Sequence, residues 1–68
     1  MLKNPNKIRK AINIYRSHPK QLIVANDILT VCNEEVTTVN QMELAIILKE
    51  MGYKRKHTRI GKRWYLDT

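Results

Sequence analysis

The hydrophobic period of the sequence changes at Gly52. Before this glycine, apolar residues recur at the spacing of a helix with one buried face: Leu44, Ile47, Leu48 and Met51. After it, the runs "YKRKHTRI" and "RWYLD" alternate with a period of two around "GK", where Gly61 would permit a tight turn. Gly52 itself suits the left-handed position that closes a helix. The C-terminal half therefore predicts a helix over about 38–51 and a hairpin over about 53–67.

The N-terminal quarter predicts another helix, over about residues 5–17. Asn4 can cap it, and Pro5 suits its first position because no N–H donor is needed there. One apolar stripe recurs at helical spacing: Ile8, Ala11, Ile12 and Tyr15. The helix ends at "SHP", since the residue before Pro19 is pushed out of helical geometry.

The segment that follows allows two interpretations. "QLIVA" is short, apolar and rich in β-branched residues, which predicts a short strand. Asn26 would then cap a second helix over about 27–33. The alternative is one continuous helix from Lys20 to Cys32. In the first interpretation the inward side chains are Ile28, Leu29 and Cys32.

The third helix has a start signal, since Thr38 and Gln41 are spaced as a capping box. The predicted order is then helix, short strand, helix, helix and hairpin. That order predicts the α+β fold of a small winged helix-turn-helix, in which the terminal hairpin is called the wing. A chain of 68 residues has room for one such domain, spanning residues 1–68.

Charge is segregated along the chain. The formal net charge is +7, divided as +6 over residues 1–20, −4 over residues 21–48 and +5 over residues 49–68. Six of the thirteen Lys and Arg residues fall within residues 53–67. Basic ends of this kind predict an anionic partner, and contact with phosphates is the interaction that they favour.

The sequence lacks the signals of an enzyme, of a metal or cofactor site and of a secreted or membrane protein. There is no paired carboxylate, activated nucleophile, glycine-rich phosphate loop or metal-ligand spacing, so we expect neither an enzyme nor a cofactor, metal or small-molecule substrate. Cys32 reads as a small buried apolar residue. The N-terminus lacks the apolar run of a signal peptide, and no segment approaches a membrane span. We therefore expect a cytoplasmic protein that does not engage a membrane.

The stretch "MELAIILKEMGYKRKHTRIGKRWY" resembles small winged-helix domains on replication proteins of phages and plasmids, often at the end of a primase or helicase. The likeness covers residues 37–66, and the matching positions are Leu44, Ala45, Leu48, Lys49, Gly52, Tyr53, Arg55, Gly61, Arg63 and Tyr65. The resemblance implies duplex DNA binding without catalysis. It also implies a small regulator or replication accessory factor of a phage or other mobile element.

The expected DNA contacts fall into three groups. Wing residues would neutralise phosphates at a minor groove: Arg55, Lys56, Arg59, Lys62 and Arg63. The residues expected at or near the major groove are Asn40, Gln41 and Lys49. The third group, expected to contact flanking phosphates, is Lys7 and Lys10. Trp64 is expected in the core, with Tyr65 on the opposite face of the hairpin.

In the family that the sequence resembles, the exposed side of the third helix usually carries basic or polar side chains. The third helix of this chain departs from that pattern. Stepping about 100° per residue from Leu44 places an outward set that is half apolar and includes Glu43 and Glu50. A face of this composition is poorly suited to bind DNA. It instead favours a protein contact through Val39, Met42 and Ile46, in a homodimer or with another chain. Two alternatives stay open: the N-terminal arm covers Met42 and Ile46, or the hairpin charges merely protect a sheet edge.

Overall fold

The computed structural model describes residues 1–18 and 22–66. Three helices precede a two-stranded antiparallel sheet: α1 (Pro5–Arg16), α2 (Ala25–Val31), α3 (Thr38–Glu50), β1 (Tyr53–Thr58) and β2 (Gly61–Leu66). The predicted α+β class is confirmed, and the arrangement is consistent with a small winged-helix-like fold. None of the described helices combines the length and the apolar character needed to cross a membrane.

Helix α1 forms as its sequence signals predict. The Asn4 side chain accepts a hydrogen bond from the Lys7 N–H at 3.1 Å, and a proline stands in the first turn. Ile8 and Ile12 are fully buried on one face. Pro19, which was expected to end the helix, lies outside the described residues.

The segment before α2 differs from both interpretations. Residues 22–24 are not helical, which overturns the continuous helix there, and the expected strand is reduced to one bridge. Ile23 and Trp64 exchange both backbone hydrogen bonds, at 2.8 and 2.9 Å. Asn26 does not cap α2: the helix starts at Ala25, two residues before the predicted start, and its N-cap residue, Val24, makes no side-chain hydrogen bond. The inward set was right, since Ile28, Leu29 and Cys32 are buried.

Helix α3 begins with a different cap from the one predicted. Thr37, not Thr38, is the cap, and its hydroxyl accepts a hydrogen bond from the Asn40 N–H at 3.1 Å. The buried stripe of Leu44, Ile47 and Leu48 is confirmed. Gly52 follows the helix with φ 91°, a backbone conformation that side chains disfavour, which confirms it as the helix stop.

The hairpin turn lies two residues earlier than predicted. The strands end and begin at Thr58 and Gly61, so the turn residues are Arg59 and Ile60. Neither has a positive φ, and the left-handed conformation (φ 121°) falls on Gly61. This combination matches the longer hairpin loops in which a glycine follows an ordinary turn.

The N-terminal arm, residues 1–4, is held by Glu34. This largely buried carboxylate accepts hydrogen bonds from the Lys3 and Asn4 N–H groups, both at 2.9 Å. The two backbone donors, Lys3 first, hold the pKa of Glu34 below its usual value. The connection between α2 and α3, which contains Glu34, therefore also anchors the arm.

We expect Glu34→Gln to lower the melting temperature at pH 7, because the Lys3 and Asn4 N–H groups bond to different carboxylate oxygens and the amide NH2 of Gln would face one of these donors. Since the folded pKa is depressed, the carboxylate stabilises the fold above its unfolded pKa of about 4.3. That contribution is lost as the pH falls through the folded pKa, so the two melting curves should converge in acid. Thermal melts across pH measure this. The control is Glu35→Gln, at an exposed neighbouring acid; an equal effect at both positions would contradict the anchoring role.

Candidate nucleic-acid interface

The two faces of the hairpin carry different basic residues. Arg55 pairs with Trp64 and His57 pairs with Lys62, and paired side chains share a face. Because Trp64 is buried, Arg55 and Lys62 lie on the face turned towards the helices. Alternation puts Lys56 on the opposite face, together with Arg63 and Tyr65. The basic run is therefore divided between two surfaces.

A cleft of about 360 Å³ lies between the hairpin and the helices. One wall is the hairpin and the other is formed by the start of α2 and one flank of α3. Its lining residues are Val24, Ala25, Asn26, Gln41, Ala45, Arg55, Lys62, Arg63 and Trp64. The cleft thus sets two cationic side chains of the inner hairpin face, Arg55 and Lys62, opposite two neutral amides, and Arg63 adds a third positive charge at its edge.

Arg55 is placed in the cleft by Trp64. Its guanidinium carbon lies 5.8 Å from the centroid of the indole ring, a cation–π contact. A cation–π contact does not use the N–H donors of the guanidinium, so they can still bind the oxygens of an anion. Trp64 is itself buried in the core, as predicted.

Arg63 is half-buried and bonded to the hairpin's own backbone. Its Nη1 donates to the Lys62 carbonyl at 2.9 Å and its Nη2 donates to the Ile60 carbonyl at 3.2 Å. A Cβ at Gly61 would lie only 3.2 Å from Nη1, so the glycine also gives this side chain room. Arg63 therefore braces the turn and adds positive charge to the cleft, with fewer donors left for a phosphate than Arg55 has.

Two amide side chains form the opposite wall. Gln41 Nε2 donates to Asn26 Oδ1 at 2.9 Å and so joins α3 to the start of α2. Gln41 was predicted at the interface, whereas Asn26 was predicted only as a helix cap. The hydrogen bond between Gln41 and Asn26 could not be predicted from sequence spacing, because it depends on how α2 and α3 pack.

Asn40 does not lie where the sequence predicted. It is buried, and its Nδ2 donates to the Glu35 carbonyl at 2.7 Å, so it is not presented to a base edge. The reason is geometric: Asn40 follows the Thr37 cap by three residues and turns inward with the buried stripe. Its role is to tie the first turn of α3 to the preceding connection.

The acids of α3 are engaged by the N-terminal part of the chain. Glu43 is half-buried and its Oε2 accepts from the Leu2 N–H at 3.1 Å. Glu50 forms an ion pair with Arg9 at 3.1 Å. Both carboxylates therefore lie on the flank of α3 away from the cleft. The expected repulsion between these acids and phosphate is reduced accordingly.

The remaining expected contacts lie outside the cleft. They are exposed, but none lines it: Lys7, Lys10, Lys49, Lys56 and Arg59. Lys49 occupies the end of α3, Arg59 the hairpin turn, and Lys7 and Lys10 lie on α1. The structure thus brings together Gln41, Arg55, Lys62 and Arg63 and leaves the other basic residues dispersed around them.

An apolar strip crosses the outer face of α3. Val39, Met42 and Ile46 are 52, 63 and 57% exposed. The N-terminal arm reaches Glu43 but leaves this strip uncovered, so the covering alternative is wrong. The strip borders Lys49 on one side and the engaged acids on the other.

No protein-family model matches the sequence, and comparisons with curated proteins and with solved structures find no significant match. Within residues 1–18 and 22–66, no group of three or more His, Cys, Asp or Glu side chains could hold a metal ion. The interface must therefore be interpreted from its own geometry.

Proposed function

We propose that this chain is a non-enzymatic protein that binds double-stranded DNA, with the hairpin as the wing of a winged-helix domain. The observation that carries the proposal is the cleft, where Arg55 and Lys62 face Gln41 and Asn26 and Arg63 lies at the edge. Cationic side chains supply sequence-independent affinity for phosphate, and amides can bond base edges. The cleft offers both on opposing walls.

The bound duplex would place one strand's phosphates between α3 and the wing. The flank of α3 that lines the cleft, with Gln41 and Ala45, then faces the major groove, and Arg59 at the turn approaches the minor groove. Exposed lysines beyond the cleft extend the phosphate contacts on either side: Lys7, Lys10, Lys49 and Lys56. The net charge of +7 accelerates association with a polyanion.

The resemblance to winged-helix domains of phage and plasmid replication proteins supports a biological role. We place the protein in the cytoplasm as a regulator or replication accessory factor of a phage or mobile element. It needs no cofactor and no small-molecule substrate in this role. Sequence-tolerant binding suits an accessory factor that acts wherever duplex is available.

Single wing variants test the assignment. Arg59→Ala and Lys62→Ala should each weaken binding to any duplex roughly tenfold at about 50 mM salt, because each removes one phosphate contact. Fluorescence anisotropy with a random-sequence duplex measures this.

The matched control for these variants is Glu43→Gln, which removes a charge from α3 but keeps an acceptor for the Leu2 N–H. It should bind as tightly as the wild type or more tightly. Loss of binding in Glu43→Gln, with none in the wing variants, would move the interface from the wing to α3.

A second candidate function is a protein contact through the apolar strip of Val39, Met42 and Ile46. More than half of each side chain is exposed, on one helix face of a very small protein. A two-fold dimer built on this strip would place two wings on one duplex. A partner from another chain would use the same surface.

Changing both Met42 and Ile46 to Lys tests the protein contact. We expect the double variant to melt like the wild type, because both side chains are exposed, and to lose self-association or partner binding. Thermal melts and sedimentation analysis of mass give these readouts. The control is Ile14→Lys with Val31→Lys, at positions each 70% exposed on other helices. If mass and partner binding stay unchanged in the Met42 and Ile46 variant, the strip is ordinary surface.

A further inference from the structure

The helical wall of the cleft carries three neutral side chains suited to bases rather than phosphates. Asn26 and Gln41 are joined by the 2.9 Å hydrogen bond, and Ala45 lies one helical turn after Gln41. We infer that these residues read A·T base pairs, with the two amides on adenine and the Ala45 methyl on thymine. This inference rests on the proposed function and adds a base preference to it.

The amide pair has the hydrogen-bonding pattern of an adenine reader. The internal bond uses one Gln41 N–H and the Asn26 Oδ1, which fixes the orientation of both amides. Gln41 Oε1 can still accept and the Asn26 amino group can still donate. The major-groove edge of adenine offers N6–H as donor and N7 as acceptor, which matches this pattern.

Guanine is a poor fit to the same wall. Its major-groove edge presents two acceptors, O6 and N7, so Gln41 Oε1 would face another lone pair. The residue that commonly reads guanine is arginine, and the arginines of the cleft stand on the opposite wall. Arg55 makes its cation–π contact with Trp64, and Arg63 is bonded to the turn carbonyls. The wall that faces the base edges is therefore selective against guanine.

Ala45 adds a contact for the other base of the pair. Residues four apart lie on the same side of a helix, so the Ala45 methyl is next to Gln41 along the cleft. Ala45 is half-buried against the core, which fixes its methyl in place. Thymine carries a C5 methyl in the major groove and cytosine does not, so an apolar contact here favours thymine.

The test uses two duplexes of equal length whose central pairs are either A·T or G·C. A·T should bind roughly 5- to 150-fold more tightly, the range expected for one good bidentate base contact. Replacing the central adenines with 7-deazaadenine removes N7, and replacing the thymines with uracil removes the methyl. Each replacement should give a several-fold loss of affinity.

Gln41→Ala separates base reading from a purely structural bond. We expect it to abolish the A·T preference, by bringing the affinity for the A·T duplex down to that for the G·C duplex, without lowering the melting temperature. If the Gln41–Asn26 bond only joins α2 to α3, its loss in this variant should instead lower the melting temperature and the affinities for both duplexes. Asn13→Ala, at an exposed amide of α1, is the control and should leave the preference intact.

The outcomes distinguish the inference from the proposed function. Equal binding of A·T and G·C duplexes, with steep salt dependence, overturns the A·T inference and leaves DNA binding standing. A preference that survives Gln41→Ala also overturns the inference. Failure to bind any duplex overturns both.

Discussion

Trp64→Ala is expected to leave most of the protein unfolded at room temperature. The indole is buried in the core, and the same residue exchanges two backbone hydrogen bonds with Ile23. Removing a buried tryptophan side chain costs about 3–5 kcal/mol. A single hydrophobic core in a chain of this length rarely supplies more than about 3–5 kcal/mol of stability. The substitution therefore removes most or all of the stability.

Far-UV circular dichroism during thermal unfolding measures this loss. Tyr65→Ala is the matched control, because it truncates the neighbouring aromatic residue on the other face of the hairpin, where it is half-buried. Its melting temperature should fall less. A Trp64→Ala variant that melts like the wild type would show that the hairpin is not anchored through this residue.

Affinity for duplex DNA is expected to fall steeply with salt. If five to seven phosphates are neutralised, raising salt from about 50 to about 200 mM should weaken binding roughly 500- to 4,000-fold. The physical reason is that counterions released from DNA on binding become harder to release as salt rises. Anisotropy titrations of one random-sequence duplex at several salt concentrations measure the change, and affinity independent of salt would contradict phosphate binding.

The sequence predicted the elements whose signals are local. Asn4 and Pro5 mark the start of α1, and Gly52 marks the change from helix to hairpin, because capping and positive φ are properties of single residues. The same local rules misplaced the hairpin turn. They assigned it to Gly61, whereas the strands end around Arg59 and Ile60.

The segment around Ile23 could not be predicted locally. Its backbone partner is Trp64, forty-one residues later, and that pairing replaces both the longer strand and the helix that "QLIVA" allowed. Long-range pairing of this kind is decided by how the hairpin packs on the helices. No propensity within the segment contains that information.

The candidate site was predicted in part for a similar reason. The basic hairpin follows from composition alone, but which cations share a surface depends on register, which puts Arg55 and Lys62 on the inner face. The inward turn of Asn40 and the pairing of Asn26 with Gln41 arise from helix packing. The partners of Glu43 and Glu50 could not be predicted either. They come from the N-terminal arm and α1, which are distant from α3 in the sequence.

The central claim is that the inner face of the wing binds duplex phosphates. The most direct test is the slope of log K against log salt for the wild type and for the Arg55→Ala, Lys62→Ala double variant. We predict a wild-type slope of about −4.5 to −6 and a slope shallower by about two in the double variant. A flat wild-type slope, or equal slopes for the two proteins, would contradict the claim.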